Sequence, residues 1–439
     1  MKNNSILYQM FLRPFTPEGT LKGAEKMLPH IASLGFDIVY LCPICEADDD
    51  TDPTFWSPRH KKSEIPNPKN PYRMKDYFKI DEEYGTEDDL RSFVETAHGL
   101  GLKVLLDLVY FHCGPKAVFL KEHPDFASHD ENGNVINGRW LFPALNLELP
   151  ELREYLYSNM EYYIREFNVD GYRCDVAEYL PLDFWAEGKK RIKALNPHAI
   201  LIDEGDNPEF VEDVFDAQYI FKWGYTLRKV FQQEVLASRF VEIVKEEEAK
   251  LPPRALGLRF VDTHDTVNNA MHDRFEKLVG HDLAEASLVL NFTFTGIPFV
   301  YNGNEICDMQ RHSIWGNRFY TPELCINWSF ALTPEGQRRM SVIKDLVKLR
   351  KNCPVLTEGS VEWLTVGNTD HILAFERKLG DRTIVVVVNT APDTLESTVN
   401  VTIPENAKIL MDNGFVITHT DSEQSRFAAK AGGYAVIEF

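Results

Sequence analysis

Residues 86–112, TEDDLRSFVETAHGLGLKVLLDLVYFH, hold one complete helix-to-strand unit. Thr86 and Asp89 form a capping box, and Leu90, Phe93, Val94, Ala97 and Leu100 follow at helical spacing. Gly99 and Gly101 stop the helix. The run 104–109 then reads as a buried strand, with Asp107 and His112 towards its far end.

The same alternation extends in both directions. Runs 6–11, 36–41, 171–176, 199–204, 217–221, 256–261 and 298–301 read as further strands with amphipathic stretches between them. One such stretch aligns Leu152, Leu156, Met160, Tyr163 and Phe167. Another aligns Ala24, Met27, Leu28, Ile31 and Leu34, and Pro29 weakens it as a helix. Strand and helix in eight units predict an α/β fold, a (β/α)8 TIM barrel. Residues 113–146 are too long for a plain loop and read as an inserted subdomain after the third strand. Beyond a helix at 340–350 the runs 371–377, 383–389 and 434–439 carry no helical period, which predicts a C-terminal all-β sandwich domain. The expected division is 1–112 with 147–352 for the barrel, 113–146 for the insertion and 353–439 for the sandwich.

Composition narrows the function classes. The chain has 439 residues, 44% of them hydrophobic, and a formal net charge of −20. With no basic stretch to neutralise phosphates, it is not expected to bind nucleic acid, and neutral substrates fit better. Such acidity also serves solubility alone. No apolar run approaches a membrane span, and the start lacks a signal-peptide pattern, so a cytoplasmic protein with no membrane partner is expected. Seven scattered cysteines suit a reducing compartment, and Cys42 and Cys45 lack the second pair a metal site needs.

In a barrel of this kind the reactive groups stand at the C-terminal strand ends. Four segments qualify: Asp107 to His112, Asp170-Gly-Tyr-Arg173-Cys-Asp175, Ile202-Asp203-Glu204, and Phe260-Val-Asp-Thr-His264-Asp265. Three carboxylates, Asp175, Glu204 and Asp265, are expected at one mouth. Two carboxyl groups cleave a glycosidic bond when one attacks the anomeric carbon and the other protonates the leaving oxygen. Arg173, on the same strand face as Asp175, is expected to hold that aspartate ionised, and Asp175 and Asp265 to raise Glu204. Each residue alone also fits a structural ion pair, a rim carboxylate or a helix cap.

The four segments, in this order, closely resemble the α-amylase superfamily of glycoside hydrolases, glycoside hydrolase family 13, over nearly the whole chain. Gly35-Phe-Asp-Ile-Val-Tyr-Leu-Cys-Pro43, Phe142-Pro-Ala-Leu-Asn146 and the stretch 296–305 resemble it too. The resemblance implies Asp175 as nucleophile, Glu204 as general acid/base and Asp265 as the carboxylate that grips sugar hydroxyls. It implies His112 and His264 as hydroxyl ligands, Tyr72 as a stacking platform and Arg173 beside them among the substrate-binding residues. Trp56, Trp140, Phe142 and Trp223 could border the mouth or simply pack.

The sequence departs from the family where many members bind calcium. Phe111, Ala144 and the run Val176-Ala-Glu178 stand where oxygen ligands are usual, so no metal and no cofactor are expected. The implied activity is retaining hydrolysis of α-1,4-linked glucose oligosaccharides, the partner being an α-glucan oligosaccharide. A transglycosylase acting on maltose or sucrose, and a catalytically inactive sugar-binding homologue, are the alternatives. Oligomeric state, linkage preference and endo or exo action are not legible.

Overall fold

The computed structural model describes residues 1–253, 255–267, 272–421 and 423–439. Eight parallel strands close into a barrel: β1 (Leu7–Met10), β2 (Ile38–Leu41), β3 (Lys103–Leu108), β4 (Gly171–Cys174), β5 (Ile200–Asp203), β6 (Ala217–Tyr219), β7 (Gly257–Arg259) and β8 (Ile297–Tyr301). Each pairs with its neighbours in sequence, and β1 closes the ring on β8 with Leu7 opposite Phe299. All eight runs read from the sequence are strands, shorter by one or two residues at most ends. The helices Glu87–Gly99, Pro150–Phe167 and Leu182–Leu195 lie between β2 and β5, and the capping box of Thr86 with Asp89 is formed.

Pro29 has a different effect from the expected weakening. The first helical stretch divides into Leu21–Glu25 and Leu28–Leu34, with Pro29 in the first turn of the second. There the missing N–H would have had no intrahelical partner, so the proline is tolerated.

The connections around the mouth hold more structure than the sequence showed. Cys45–Ala47 pairs antiparallel with Met74–Ile80 as a short ribbon between β2 and β3. Residues 113–146 contain two 3-10 turns, Val118–Lys121 and Pro124–Phe126, and isolated bridges that include His112 with Ala144.

The C-terminal residues form an antiparallel sheet of β9 (Ser360–Trp363), β10 (Ile372–Leu379), β11 (Arg382–Asn389), β12 (Leu395–Val399), β13 (Lys408–Thr420) and β14 (Ser425–Glu438). The long β14 pairs with β12 through residues 425–429 and with β11 through residues 434–438. Gly432 and Gly433 separate the halves, which enclose a core containing Val385, Val387, Phe415 and Phe427. This domain docks on the barrel helix His281–Thr293, where Lys430 Nζ lies 2.9 Å from Asp282 Oδ2 and Arg377 Nη1 donates to Thr293 O (3.0 Å).

Two details of the barrel decide its tolerance. Gly171, at the start of β4, has φ +140°, and a Cβ there would stand 1.9 Å from Ile200 O on β5. Asp203, next to Glu204 but on the opposite strand face, is fully buried, and neither of its oxygens is hydrogen-bonded among the described residues. Burial, with Glu178 and Glu204 nearby, pushes its carboxyl well above the ordinary range.

Gly171→Ala is expected to cost about 4 kcal/mol or more, read as lost soluble yield or a collapsed Tm. For Asp203, the raised native pKa means folding takes up a proton between the unfolded value and the native one, so stability falls as pH rises through that window. Wild-type Tm should therefore fall more steeply than that of Asp203→Asn between about pH 5 and about pH 8. Parallel slopes would contradict the assignment.

Candidate active site

The strand ends converge as the barrel requires. Arg173 lies on β4 and Asp107 on β3, both inward, while Asp175 and Glu204 stand one residue past β4 and β5. Strand pairing continues into both carboxylate positions, because the Asp175 N–H donates to Leu108 O (2.8 Å) and the Glu204 N–H to Cys174 O (3.1 Å). Three carboxyls share one guanidinium. Arg173 Nη1 donates to Asp107 Oδ1 and to Asp175 Oδ1, each at 2.7 Å, and Nη2 lies 2.6 Å from Glu204 Oε1 as an ion pair.

Val176 sharpens this corner. Its φ of +39° is an uncommon value for a β-branched residue, and it aims the backbone N–H at Glu204 Oε2 (2.9 Å).

A relay of hydrogen bonds fixes the other wall. Gln9 Oε1 accepts from the His264 backbone N–H (3.3 Å), which turns Gln9 Nε2 towards His264 Nδ1 (2.7 Å). An amide nitrogen only donates, so neutral His264 carries its proton on Nε2 and gives it to the Tyr72 hydroxyl (2.6 Å). Tyr72 in turn donates to Asp107 Oδ2 (3.0 Å), and its ring lies parallel to His264 at 5.2 Å. His112 places Nε2 2.7 Å from Tyr72 O, leaving Nδ1 without a partner among the described residues. Burial lowers both histidines to about 4, so both are neutral near pH 7.

The electrostatics correct two expectations. Burial pushes Asp175 up to about 7, because desolvation outweighs Arg173, which was expected to hold it in the ordinary ionised range. Glu204 is raised to about 8, again chiefly by burial against Arg173, with Asp175 and Asp265 adding to the rise rather than causing it alone. Asp265 is the contrast. Burial would raise it, yet His264, Arg59 and Arg173 together hold it well below the usual carboxylate range. Arg59 Nη1 donates to Asp265 Oδ1 at 2.9 Å.

Asp175, Glu204, Asp265, Tyr72, His112 and His264 all line one pocket with about 480 Å3 of empty space. Arg173 does not line it. Its guanidinium is spent on the carboxylates, so it positions them, in place of the substrate contact expected from sequence. Trp140 and Phe142 line the pocket as well. Trp56 instead stacks on His60 (4.1 Å), and Trp223 is fully buried in the helix Phe221–Phe231 against Phe240 and Phe294.

Sequence reasoning missed Arg59, Gln9 and Trp315. A polar Gln9 in an otherwise apolar strand was a usable signal. Arg59 lies in the short helix Pro58–Ser63, whose Ser57 cap and Pro58 were readable although its single turns carry no long period, and Trp315 lies in an irregular segment without a signal.

Metal-ligating side chains come together elsewhere among the described residues. Glu276, His281 and Cys307 have ligand atoms within 4.8 Å of one another, but Arg339 already bonds both Glu276 oxygens (2.8 and 3.1 Å) and none of the three lines the pocket.

Comparison with known proteins agrees with this architecture. The chain is 27% identical over 408 residues to a cyclomaltodextrinase of Geobacillus thermopakistaniensis, covering 86% of this chain and 63% of the relative. It is 26% identical over 411 residues to a maltogenic alpha-amylase of Bacillus acidopullulyticus, covering 86% and 64%. The chain thus spans less than two thirds of the length of these curated relatives. Two crystal structures extend over essentially the whole of both chains. A noncanonic maltogenic alpha-amylase, AmyB, from Thermotoga neapolitana superposes with a TM-score of 0.84 at 24% identity, covering 100% and 99%. An alpha-amylase from Lactobacillus plantarum does so with a TM-score of 0.77 at 25% identity and the same coverage. The model of the alpha amylase catalytic domain matches residues 3–133 and 139–342, which include every strand of the barrel and each carboxylate of its mouth, and the chain belongs to the alpha-amylase family.

Proposed function

We propose that the protein is a retaining α-glycosidase that hydrolyses α-1,4-linked glucose oligosaccharides, with Asp175 as nucleophile and Glu204 as acid/base. The observation that carries the reading is the shared guanidinium: Arg173 holds both carboxyls at the floor of one pocket while their environments keep Glu204 the more basic.

In the first step Asp175 forms a bond to the anomeric carbon as the glycosidic C–O bond breaks, and the Glu204 proton passes to the departing oxygen. In the second, Glu204, now a carboxylate, takes a proton from water, whose oxygen displaces Asp175 from the same carbon. Two inversions give retention. Asp265, kept ionised by Arg59 and Arg173, grips hydroxyls of the ring and stabilises positive charge developing on it. His112 Nδ1, without a partner among the described residues, accepts a further hydroxyl, and the Tyr72 ring borders the sugar's apolar face.

The relatives named for cyclomaltodextrin and maltogenic activities support a maltodextrin-type substrate. No calcium is required in this reading, because Phe111 and Ala144 offer no side-chain oxygen. A cytoplasmic setting is supported by seven cysteines, none in a disulfide, and by the similarity to an intracellular maltogenic amylase of Bacillus subtilis (26% identical). No helix among the described residues is long and apolar enough to cross a membrane.

Maltoheptaose incubated with the protein in excess chelator should give shorter oligosaccharides, the first-formed product being the α-anomer by NMR. Asp175→Asn should lower kcat/KM at least about a thousandfold. A β-anomer formed first, or an Asp175→Asn variant as active as wild type, would overturn the assignment. The sign of the pH dependence is also fixed. Activity is lost as pH falls through Asp175, near 7, and as it rises through Glu204, near 8, so kcat/KM should peak between neutral and mildly alkaline pH. An optimum near pH 5 would contradict the burial argument.

A further inference from the structure

The pocket has a closed end, and what closes it is built from both sides of the mouth. On one side are residues 56–70, between β2 and the ribbon strand Met74–Ile80; on the other are residues 314–315, beyond β8. The buried Arg13 guanidinium bonds Lys69 O (3.1 Å) and Ile314 O, and its other edge is held by Glu83 at 2.8 and 2.9 Å. Asn67 Nδ2 donates to Trp315 O (2.9 Å). His60 is stacked between Trp56 and Trp315, at 4.1 and 5.2 Å and within 16° of parallel to each. These contacts leave Asn70, Ile314 and Trp315, all buried, as the end wall of the pocket.

The opposite side is open. A broader groove of about 1330 Å3, lined by Tyr179, Phe221 and Tyr225, shares Arg59, Trp140, Glu204 and Asp265 with the pocket but reaches neither Asp175 nor Asn70, Ile314 and Trp315. The nucleophile must touch the ring being transferred and the acid the bond to the leaving group. The transferred ring therefore occupies the closed pocket, and the leaving chain the groove.

We propose that the enzyme is exo-acting: the pocket admits a single glucosyl residue, the non-reducing terminal one, and each cycle releases one glucose. In an α-1,4 chain the ring that presents C1 to Asp175 carries its O4 on the opposite side, against the end wall. A further residue linked through that O4 would have to pass through Ile314 and Trp315, which Arg13, Asn67 and His60 hold in place. Cyclic glucans, which have no chain end, are excluded for the same reason. This inference rests on the preceding assignment of Asp175 and Glu204.

The test uses 4-nitrophenyl α-maltoheptaoside and the same compound capped at its non-reducing end by a 4,6-O-ethylidene group. The uncapped substrate should shorten by one hexose at a time, with glucose the sole unlabelled early product, and the capped one should react at least about a hundredfold more slowly. Cyclomaltoheptaose should resist to the same degree. Early unlabelled maltose, or cleavage of the capped or cyclic substrate within about tenfold of the linear one, would overturn the proposal. If no substrate is cleaved, it is the assignment of the carboxylates that fails, and the closed pocket is then read by calorimetric titration of both linear ligands into the Asp175→Asn protein. Selective binding of the uncapped ligand supports the closed end. Equal affinity, or none for either, overturns it.

Discussion

The Arg173 guanidinium, fully buried at the barrel's centre, is the interaction on which the site depends. It draws together Asp107 from β3, Asp175 from the end of β4 and Glu204 from the end of β5. The rings of Tyr40, Tyr72 and Tyr219 surround it at 5.8–6.0 Å. One cation cannot offset three ionised carboxyls away from water, where an uncompensated charge costs several kcal/mol. The imbalance is relieved by retaining a proton within the group, burial raising Asp107, Asp175 and Glu204 alike, and the proposed acid role places it on Glu204. The acid chemistry thus follows from a charge count imposed by burial. Asp265 escapes that count because it has a cation of its own in Arg59.

Much of this was legible in the sequence, because its signals are local. A strand ending in a carboxylate, a helix opened by Thr86 and Asp89, and the two-residue spacing of Arg173 and Asp175 each survive in one dimension. The closed barrel and the convergence of Asp175, Glu204 and Asp265 on a single pocket follow from those signals. What escaped was set by contacts between distant segments. Arg59 meets Asp265 across 206 residues and Asn67 meets Trp315 across 248, pairings that no local period or cap encodes. Trp223 was left open between bordering the mouth and packing, and it packs. It belongs to the helix Phe221–Phe231, whose inner face it covers. The sign of the Asp175 shift was missed because spacing shows a neighbouring charge and does not show how dry the neighbourhood is.

The two sides of the mouth are held by different physics, and that asymmetry shapes the cleft. On the closed side, a buried arginine bonds the carbonyls of two loops while an aromatic stack fills the space between them. Separating the two carbonyls would leave Arg13 Nη1 buried without its acceptors while Glu83 holds the other edge, so this wall resists opening. On the groove side the insertion meets the barrel through aromatic packing. The Phe111 ring meets Trp140 at 5.9 Å and Tyr179 at 5.4 Å, and backbone bonds from Cys113 to Pro143 and from Leu145 to Phe111 tie the insertion to the end of β3.

Phe111 is thus more than the absence of an oxygen ligand. Its ring organises Trp140 and Tyr179, which line the groove, so the residue that departs from the usual metal-binding pattern also places aromatic surface on the leaving-group side. Aromatic contacts of this kind contribute about 0.5–1.5 kcal/mol each beyond area burial. The proposed recognition of a chain end thus rests on a wall held by Arg13 and Asn67 at one end of the pocket and on an aromatic surface beyond Glu204 at the other.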